Sequence, residues 1–291
     1  MSGNEPSRRF QVVGDPVAHS LSPHIHTLFA AQFGHPVEYG LERVGAEAFV
    51  DRAEAFRKDG GEGMNVTVPH KEIAFRYVEQ TDANAKAAGA VNTIRFSGRK
   101  VEGFNTDGLG LVADLTQRWR LELNGKQLLL LGAGGASRGI LLPLLRAGVR
   151  SIVIANRTVS KAEALCVALA KHGSLGELRA VGLDDALRRI EADLIVNATS
   201  IGLSASETEA VRLLPLSESQ LKHAFCYDMS YGDKAGFHRR VQAAGGTSVD
   251  GLGMLVEQAA ASYEIWLGVR PDTQPVYKEL QTLTTPPNAS S

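Results

Sequence analysis

The sequence predicts an α/β protein built from two domains. Its 291 residues are 44% hydrophobic and 22% charged, so the chain is long and apolar enough to bury two cores. Strand-like apolar runs alternate with segments of helical period, and this alternation is typical of parallel sheets with helices packed on their faces. A glycine-rich turn between a buried strand and a helix indicates that one sheet is of the dinucleotide-binding kind.

The first hundred residues predict one domain with a mixed sheet. Residues 91–105 contain two β-like runs on either side of Ser97 and Gly98, as in a β-hairpin. Asn105 is then expected to cap a helix that continues to about Arg118 and leads into the second domain. The other expected elements are strands near 10–14, 37–44, 63–68 and 91–96, and helices after Ser22, Gly45 and Pro69.

From residue 127 onward the pattern predicts a βαβ unit followed by further strands. An apolar strand at 127–131 leads through a glycine turn into a helix, and a second strand follows at 151–157. Strands near 194–197 and 225–229 each end in a polar loop, at the edge where α/β sheets bind ligands. A last long helix, at about 253–267, carries an apolar stripe that is expected to pack on a core: Leu255, Val256, Ala259, Tyr263 and Trp266.

The glycine turn itself is the clearest chemical signal in the chain. Gly132 and Gly134 let the backbone approach a pyrophosphate at the positive N-terminus of the following helix. The third glycine of the usual fingerprint is replaced by Ser137, which is still small enough for close helix packing. Pro143 lies inside that helix, and we expect a kink near Gly139 because proline removes one backbone hydrogen bond.

The end of the second strand of the βαβ unit indicates which cofactor is bound. NAD-binding proteins place an acidic residue there for the ribose 2′-hydroxyl, but this chain has Asn156, Arg157 and Thr158. Arg157 offers a planar guanidinium for a 2′-phosphate, Thr158 offers a hydroxyl and a helix cap, and Lys161 adds charge one turn later. These residues favour NADP. The alternative is a solvated arginine beside an ordinary threonine cap.

Composition excludes several other classes of protein. A net charge of −1 gives no excess of basic residues for nucleic acid, and the longest apolar runs are too short to span a membrane. The two cysteines, Cys166 and Cys226, lie far apart, as expected for a cytoplasmic protein. Eight histidines are present, but their spacing matches no zinc signature, so no metal site is expected.

Polar residues cluster where strands of the first domain end. The segments HSLSPH, NVTVPHK, AVNT and FNTDG are unusual at strand ends unless a ligand binds there. Ser20 and Ser22 are suited to donate hydrogen bonds to a carboxylate. The alternative for Ser22 is structural, because a serine followed by Pro23 is a good helix start in any protein.

Eight motifs in order resemble those of the shikimate dehydrogenase family. They are GDPVAHSLSPHIH, NVTVPHK, AGAVNT, NTDG, GAGGASRG, NRTVSKA, NATSIG and DGLGMLVEQA, and they extend from about Phe10 to Val276. The resemblance implies a substrate domain formed by residues 1–106 with about 251–280, a Rossmann-like NADP domain at 107–250, and a disordered tail at 281–291. It also implies the reversible reduction of 3-dehydroshikimate to shikimate by NADPH, a step towards chorismate and the aromatic amino acids.

The resemblance further implies a role for each matching residue. Lys71 and Asp107 correspond to the catalytic pair. The residues implied for the substrate are Ser20, Ser22 and Tyr231 for the carboxylate, Thr67 nearby, and Asn92, Asp107 and Gln258 for the ring hydroxyls. Those implied for NADP are Gly132, Ala133, Gly134, Gly135 and Ala136 at the pyrophosphate, Asn156, Arg157, Thr158 and Lys161 at the 2′-phosphate, and Thr199, Ser200, Met229 and Gly251 nearer the nicotinamide.

Two other functions are compatible with the same motifs. One is a quinate/shikimate dehydrogenase that accepts NAD, although such an enzyme more naturally carries an acidic residue near Asn156. The other is a non-catalytic NADP-binding sensor, which would tolerate loss of Lys71 or Asp107, whereas this chain keeps both. The expected oligomeric state is a monomer or a homodimer.

Overall fold

The structure is a computed structural model that describes residues 6–173, 175–199 and 214–284. It divides into two compact units. The first unit comprises the chain up to Gly110 together with Val256–Lys278, and the second comprises Leu111–Leu255 together with the residues from Glu279 onward. In the described ranges, no helix combines the length and apolar composition that crossing a membrane requires.

Each unit contains one sheet, which confirms the predicted α/β class. The strands are β1 (Arg8–Gly14), β2 (Val37–Arg43), β3 (Gly61–Val66), β4 (Gln80–Thr81), β5 (Thr93–Ser97), β6 (Lys100–Phe104), β7 (Gln127–Leu131), β8 (Ser151–Asn156), β9 (Glu177–Gly182), β10 (Leu194–Asn197), β11 (Phe225–Asp228) and β12 (Thr247–Val249). The helices are α1 (Ser22–Phe33), α2 (Phe49–Lys58), α3 (Lys71–Tyr77), α4 (Ala83–Ala88), α5 (Asp107–Ala113), α6 (Gly135–Arg146), α7 (Val159–Ala170), α8 (Glu218–His223), α9 (Gly236–Ala243), α10 (Leu252–Leu267) and α11 (Thr273–Thr284).

The first unit has a mixed sheet with the strand order β2-β1-β3-β5-β6-β4. Strands β1, β2 and β3 are parallel, whereas β5 is antiparallel to both β3 and β6. The predicted hairpin is the β5–β6 pair, and its turn contains Gly98 at a φ of 62°, a conformation that favours glycine. The sheet brings the loops after β1 and β3 to the same edge, because parallel neighbours end side by side.

Helix α10 carries the apolar stripe that the sequence predicts. Val256, Ala259, Tyr263 and Trp266 are buried, and Leu255 is half-buried. Trp266 donates from its indole nitrogen to the backbone oxygen of Ile94 over 2.9 Å. A Cβ at Gly63 would lie 2.4 Å from that nitrogen, so strand β3 needs glycine where the tryptophan packs.

The second unit has a parallel sheet with the strand order β12-β11-β10-β7-β8-β9. Relabelled from its first strand, this is the 3-2-1-4-5-6 order of the dinucleotide-binding fold. The strand order reverses between β7 and β10, because successive strands are added on one side of β7 up to β9 and on its other side from β10 onward. Ligands of such sheets bind outside the carboxyl ends of the strands at that point. The turn after β7 and the loops after β8, β10 and β11 all lie at this edge.

Two predictions about helices have different outcomes. Helix α6 is continuous across Pro143, and the kink expected near Gly139 stays a prediction. The expectation of a disordered tail from residue 281 is wrong for its first four residues, because α11 continues to Thr284. Leu280 is fully buried in that helix, and the Thr284 hydroxyl donates to the Leu280 backbone oxygen over 2.9 Å. The remainder of the expected tail, 285–291, lies outside the described residues.

Candidate active site

Lys71 and Asp107 form a close ion pair in the first unit. Lys71 is the first residue of α3 and Asp107 the first residue of α5, and the Lys71 Nζ atom lies 2.6 Å from Asp107 Oδ2. The side chains are only 21% and 9% exposed. Asn105 accepts the Asp107 N–H through its side-chain oxygen over 3.2 Å, in keeping with the predicted cap. The pair is therefore held at two helix starts, partly shielded from water.

Asn92 fixes the other oxygen of the Asp107 carboxylate. The Asn92 Nδ2 atom donates to Asp107 Oδ1 over 2.8 Å and lies 3.3 Å from Gln258 Oε1. Asn92 is 3% exposed and immediately precedes β5, while Gln258 lies on α10. The structure thus brings together four residues that the motifs single out: Lys71, Asn92, Asp107 and Gln258.

A set of buried polar side chains that sequence reasoning missed surrounds Asn92. Thr106 accepts from Asn92 Nδ2 over 2.9 Å, and Thr93 donates to Asn92 Oδ1 over 2.9 Å. Asn65 donates to Ser262 over 3.0 Å, and Ser262 lies 2.7 Å from Thr93. Asn65 and Thr106 occur within the quoted motifs, which was the available signal, whereas nothing in the sequence marks Ser262.

Ser20 and Ser22 contact each other after β1. The Ser20 hydroxyl donates to the Ser22 hydroxyl over 3.1 Å, and the Ser22 backbone N–H donates to the Ser20 hydroxyl over 3.3 Å. Helix α1 begins at Ser22, as the structural alternative expects, but the N-cap residue is Leu21 and it makes no side-chain capping hydrogen bond. Thr67 lies on the neighbouring loop, where its methyl group would be 2.3 Å from a Cβ at Gly14.

Tyr39 and His26 form a buried ring pair next to Ser22, with which Tyr39 makes a hydrogen bond. The rings stack with centroids 4.3 Å apart, and the Tyr39 hydroxyl donates to Asn65 Oδ1 over 2.6 Å. Burial raises the pKa of Tyr39 well above its usual value, and a hydrogen bond with Ser22 opposes the rise. Burial lowers the pKa of His26 to about 3, opposed by a hydrogen bond with Asn65. His26 is therefore neutral at physiological pH.

The glycine turn of the second unit has room for a phosphate. Gly134 is the N-cap of the twelve-residue helix α6, and Gly132 has a φ of 104°. A Cβ at Gly134 or Gly135 would meet no described atom within 4 Å, and Ala136 beside them is exposed. Because this helix start is open and its first N–H groups point outward, the residues present fit a dinucleotide pyrophosphate. Ala133 is buried behind the turn and Ser137 donates to the Gly132 oxygen over 2.9 Å.

The residues after β8 fit a 2′-phosphate better than a bare ribose. Asn156 ends the strand, and Arg157, Thr158 and Lys161 are all exposed. Thr158 is the N-cap of α7, as predicted, but its side chain makes no capping hydrogen bond. Asn156 Nδ2 donates to the Thr158 backbone oxygen over 2.8 Å. The Thr158 hydroxyl is thus not engaged in capping. No carboxylate follows the strand at this position.

The loops after β10 and β11 carry Thr199 and Met229, which both donate hydrogen bonds to Asn197. Thr199 donates from its hydroxyl to Asn197 Oδ1 over 2.7 Å, and its methyl carbon would be 3.0 Å from a Cβ at Gly132. Met229 donates its N–H to the Asn197 backbone oxygen over 3.0 Å. A Cβ at Gly251 would be 2.3 Å from the Met229 oxygen, so only glycine allows this approach.

The placement of two other predicted residues relative to these clusters stays a prediction. Tyr231 belongs to the second unit, as N-cap of a 3-10 turn at Gly232–Lys234, and burial raises the pKa of its hydroxyl. Its expected role beside Ser20 and Ser22 stays a prediction. Ser200 lies outside the described residues.

Three family models match the chain in succession. Residues 12–94 match the shikimate dehydrogenase substrate binding domain. Residues 114–231 match the shikimate/quinate 5-dehydrogenase model, and residues 251–281 match the shikimate 5′-dehydrogenase C-terminal domain.

Relatives and solved structures agree with these matches. A protein named shikimate dehydrogenase (NADP(+)) from Alkalilimnicola ehrlichii is 45% identical over 278 residues, covering 94% of this chain and 98% of its own length. The crystal structure of an Ael1 enzyme from Pseudomonas putida has a TM-score of 0.85 and 38% identity, covering 97% of this chain and 99% of that one. Shikimate 5-dehydrogenase from Thermus thermophilus, solved with NADP(H) and shikimate, has a TM-score of 0.80 and 32% identity, covering 94% and 99%. This chain belongs to the shikimate dehydrogenase family.

Proposed function

We propose that the chain catalyses the reversible NADPH-dependent reduction of 3-dehydroshikimate to shikimate, with Lys71 as the proton donor and Asp107 as its partner. The observation that carries this assignment is the 2.6 Å contact between Lys71 Nζ and Asp107 Oδ2, braced by Asn92 on the other carboxylate oxygen. The protein is thus an NADP-dependent oxidoreductase.

Lys71 supplies the proton that the reduction needs. When bound, NADPH supplies the hydride that adds to the carbonyl carbon of the substrate. Negative charge then develops on the carbonyl oxygen, and an ammonium within hydrogen-bond reach stabilises that charge and transfers a proton to the oxygen. The C=O double bond becomes a C–O single bond and the neutral lysine regains a proton from water. In the oxidation direction, the neutral lysine accepts the hydroxyl proton.

Asp107 holds Lys71 in one orientation through their ion pair. Its carboxylate is acceptor-only and takes one hydrogen bond from Lys71 and one from Asn92. The remaining lone pairs can accept from a substrate hydroxyl, and Asn92 and Gln258 provide amide groups for the neighbouring ring hydroxyls. Ser20, Ser22 and Tyr231 would bind the substrate carboxylate as hydroxyl donors, with Thr67 close to them.

The second unit would bind NADP through backbone and exposed side chains. The turn would contact the pyrophosphate through the N–H groups at the start of α6, because the Gly132 N–H already donates to the Ala155 oxygen over 2.8 Å. The residues of this turn are Gly132, Ala133, Gly134, Gly135 and Ala136. Asn156, Arg157, Thr158 and Lys161 would contact the 2′-phosphate, where the guanidinium of Arg157 makes paired hydrogen bonds that the lysine cannot. Thr199, Ser200, Met229 and Gly251 would surround the nicotinamide.

The proposed location of the protein is the cytoplasm. Both cysteines are free thiols, which suits a reducing cytoplasm where NADPH is available. The chain would work there as a monomer or a homodimer on a small-molecule substrate.

The experiment that tests the proposal is a parallel assay of purified protein. Shikimate with NADP should give fast formation of reduced nicotinamide, measured by its absorbance, whereas shikimate with NAD and quinate with either cofactor should be slow. Turnover of quinate with NAD at the same rate would favour a quinate/shikimate dehydrogenase. Binding of NADP without turnover of either substrate would contradict the proposal and favour a sensor.

A further inference from the structure

The carboxylate of Asp228 is buried at a strand end of the second unit and has no part in the proposed reaction. Asp228 is 1% exposed and ends β11. No basic side chain of the described residues forms an ion pair with it. A buried carboxylate is costly unless hydrogen bonds compensate for the lost water, so its partners should explain its presence.

Four hydrogen-bond donors converge on this carboxylate. Oδ1 accepts from Asn197 Nδ2 over 3.2 Å and from the Ser230 N–H over 3.2 Å. Oδ2 accepts from the N–H groups of Phe237 and His238 over 2.9 and 3.1 Å, at the start of α9. Burial raises the pKa of Asp228 to about 6, although these four hydrogen bonds oppose the rise.

Asn197 extends the contact from Asp228 to the loop after β10. The two residues are register partners at the carboxyl ends of neighbouring parallel strands. With its amide nitrogen on Asp228, Asn197 turns its side-chain oxygen to Thr199, which donates from both its N–H and its hydroxyl over 3.2 and 2.7 Å. The Asn197 backbone oxygen accepts from the N–H of Met229 over 3.0 Å.

We propose that Asp228 is a positioning residue for hydride transfer, which holds the loops of Thr199 and Met229 in place through Asn197 and the Ser230 N–H. The inference rests on the proposed function, in which Thr199 and Met229 surround the nicotinamide. Hydride transfer depends steeply on the placement of the reacting atoms, and a displacement of about 1 Å can cost about 100-fold in rate. The 2′-phosphate contacts lie at a different strand end, so cofactor affinity should change much less.

Two variants separate this role from helix capping. Asp228→Asn places an amide where two backbone N–H groups need an acceptor and should loosen both loops and the start of α9. Asn197→Ala leaves the three backbone donors on Asp228 and removes only the link to Thr199. Asp193→Asn is the control, because Asp193 also accepts a backbone N–H, from Gln127 over 2.8 Å, but precedes β10 at the amino end of the sheet.

The test measures kcat, the KM for NADPH, the deuterium isotope effect with NADPH labelled at the transferred position, and the thermal midpoint. Asp228→Asn and Asn197→Ala should lower kcat about 10- to 100-fold, keep the KM within about threefold, and give an isotope effect no smaller than that of wild type. Asp193→Asn should retain wild-type kcat.

Other outcomes overturn the inference. If the Asn197→Ala variant folds and keeps the wild-type kcat, then Asp228 serves only as a helix cap. The Asn197→Ala variant alone decides the question if Asp228→Asn does not fold. A lower kcat with a lost isotope effect and a raised KM would indicate general loosening. Failure of the proposed function would be visible separately, because the wild-type protein would then not turn over shikimate.

Discussion

The candidate sites of the two units are formed by different kinds of groups. In the first unit, the candidate site consists of buried side chains that hold one another, such as Asn92 at 3% exposure between Asp107 and Thr106. In the second unit, the candidate cofactor site consists of open backbone at Gly134 and Gly135 and of exposed side chains such as Arg157. The difference indicates that substitutions in the first unit should affect turnover and stability, and those at the exposed end of the second should affect cofactor affinity.

Replacing Lys71 should give the largest effect. Lys71→Met keeps most of the side-chain volume but removes the proton donor, and general acid catalysis typically contributes 10²–10⁴-fold, so kcat should fall about 1000-fold. Steady-state kinetics in both directions, with circular dichroism to check folding, measures this. Lys58→Met is the matched control, because Lys58 is exposed at the end of α2. Equal activity of the two variants would show that Lys71 takes no part in the reaction.

Replacing His26 should change how stability depends on pH. Burial lowers the pKa of His26 to about 3 in the folded chain, against 6.5 in the reference state. Below pH 6.5 the unfolded chain therefore binds a proton that the folded chain does not, and the folded state loses stability as the pH falls towards 3. His26→Phe removes this penalty and keeps a ring to stack on Tyr39.

The expected size of that change follows from the width of the pH interval. Between pH 6.5 and pH 4, wild type should lose about 3 kcal/mol more unfolding free energy than His26→Phe, measured by urea unfolding at each pH. His223→Phe is the control, because His223 is exposed on α8. Parallel pH curves for wild type and His26→Phe would show that His26 is not held neutral by the fold.

Replacing Arg157 should have a smaller effect, confined to the cofactor. Hydrogen bonds to charged groups contribute about 1.5–3 kcal/mol, so Arg157→Ala should raise the KM for NADPH about 10- to 100-fold without changing kcat. The thermal midpoint should not change because the side chain is exposed. NADH provides an internal control, since it lacks the 2′-phosphate and its KM should be unaltered. An equal rise in the KM for both cofactors would show that Arg157 does not contact the 2′-phosphate.

Much of the fold is predictable from local sequence signals, because each signal is contained in a short segment. The buried strand, glycine turn and helix of β7–α6 are contiguous, and so is the hairpin around Gly98. The absence of an acidic residue after Asn156 is likewise visible within one short segment. Periodicity also places the buried face of α10 correctly.

The bracing of the sites is not predictable in this way. Asn65 and Ser262 are separated by 197 positions, and their hydrogen bond exists only after β3 and α10 pack together. Asp228 is visible in the sequence as a strand end, but two of its donors come from a helix start, nine and ten residues later. Pro23 marks Ser22 as a helix start, but the hydrogen bond from Ser20 to Ser22 depends on how the loop after β1 folds.

The division of labour between the two units is the central claim, and a double-variant cycle tests it most directly. kcat and the KM for NADPH are measured for wild type, Lys71→Met, Arg157→Ala and the double variant. If the two residues act independently, the double variant has the kcat of Lys71→Met and the KM of Arg157→Ala, so the free-energy changes add. A Lys71→Met variant that keeps its kcat, or one whose main defect is in NADPH affinity, would contradict the account.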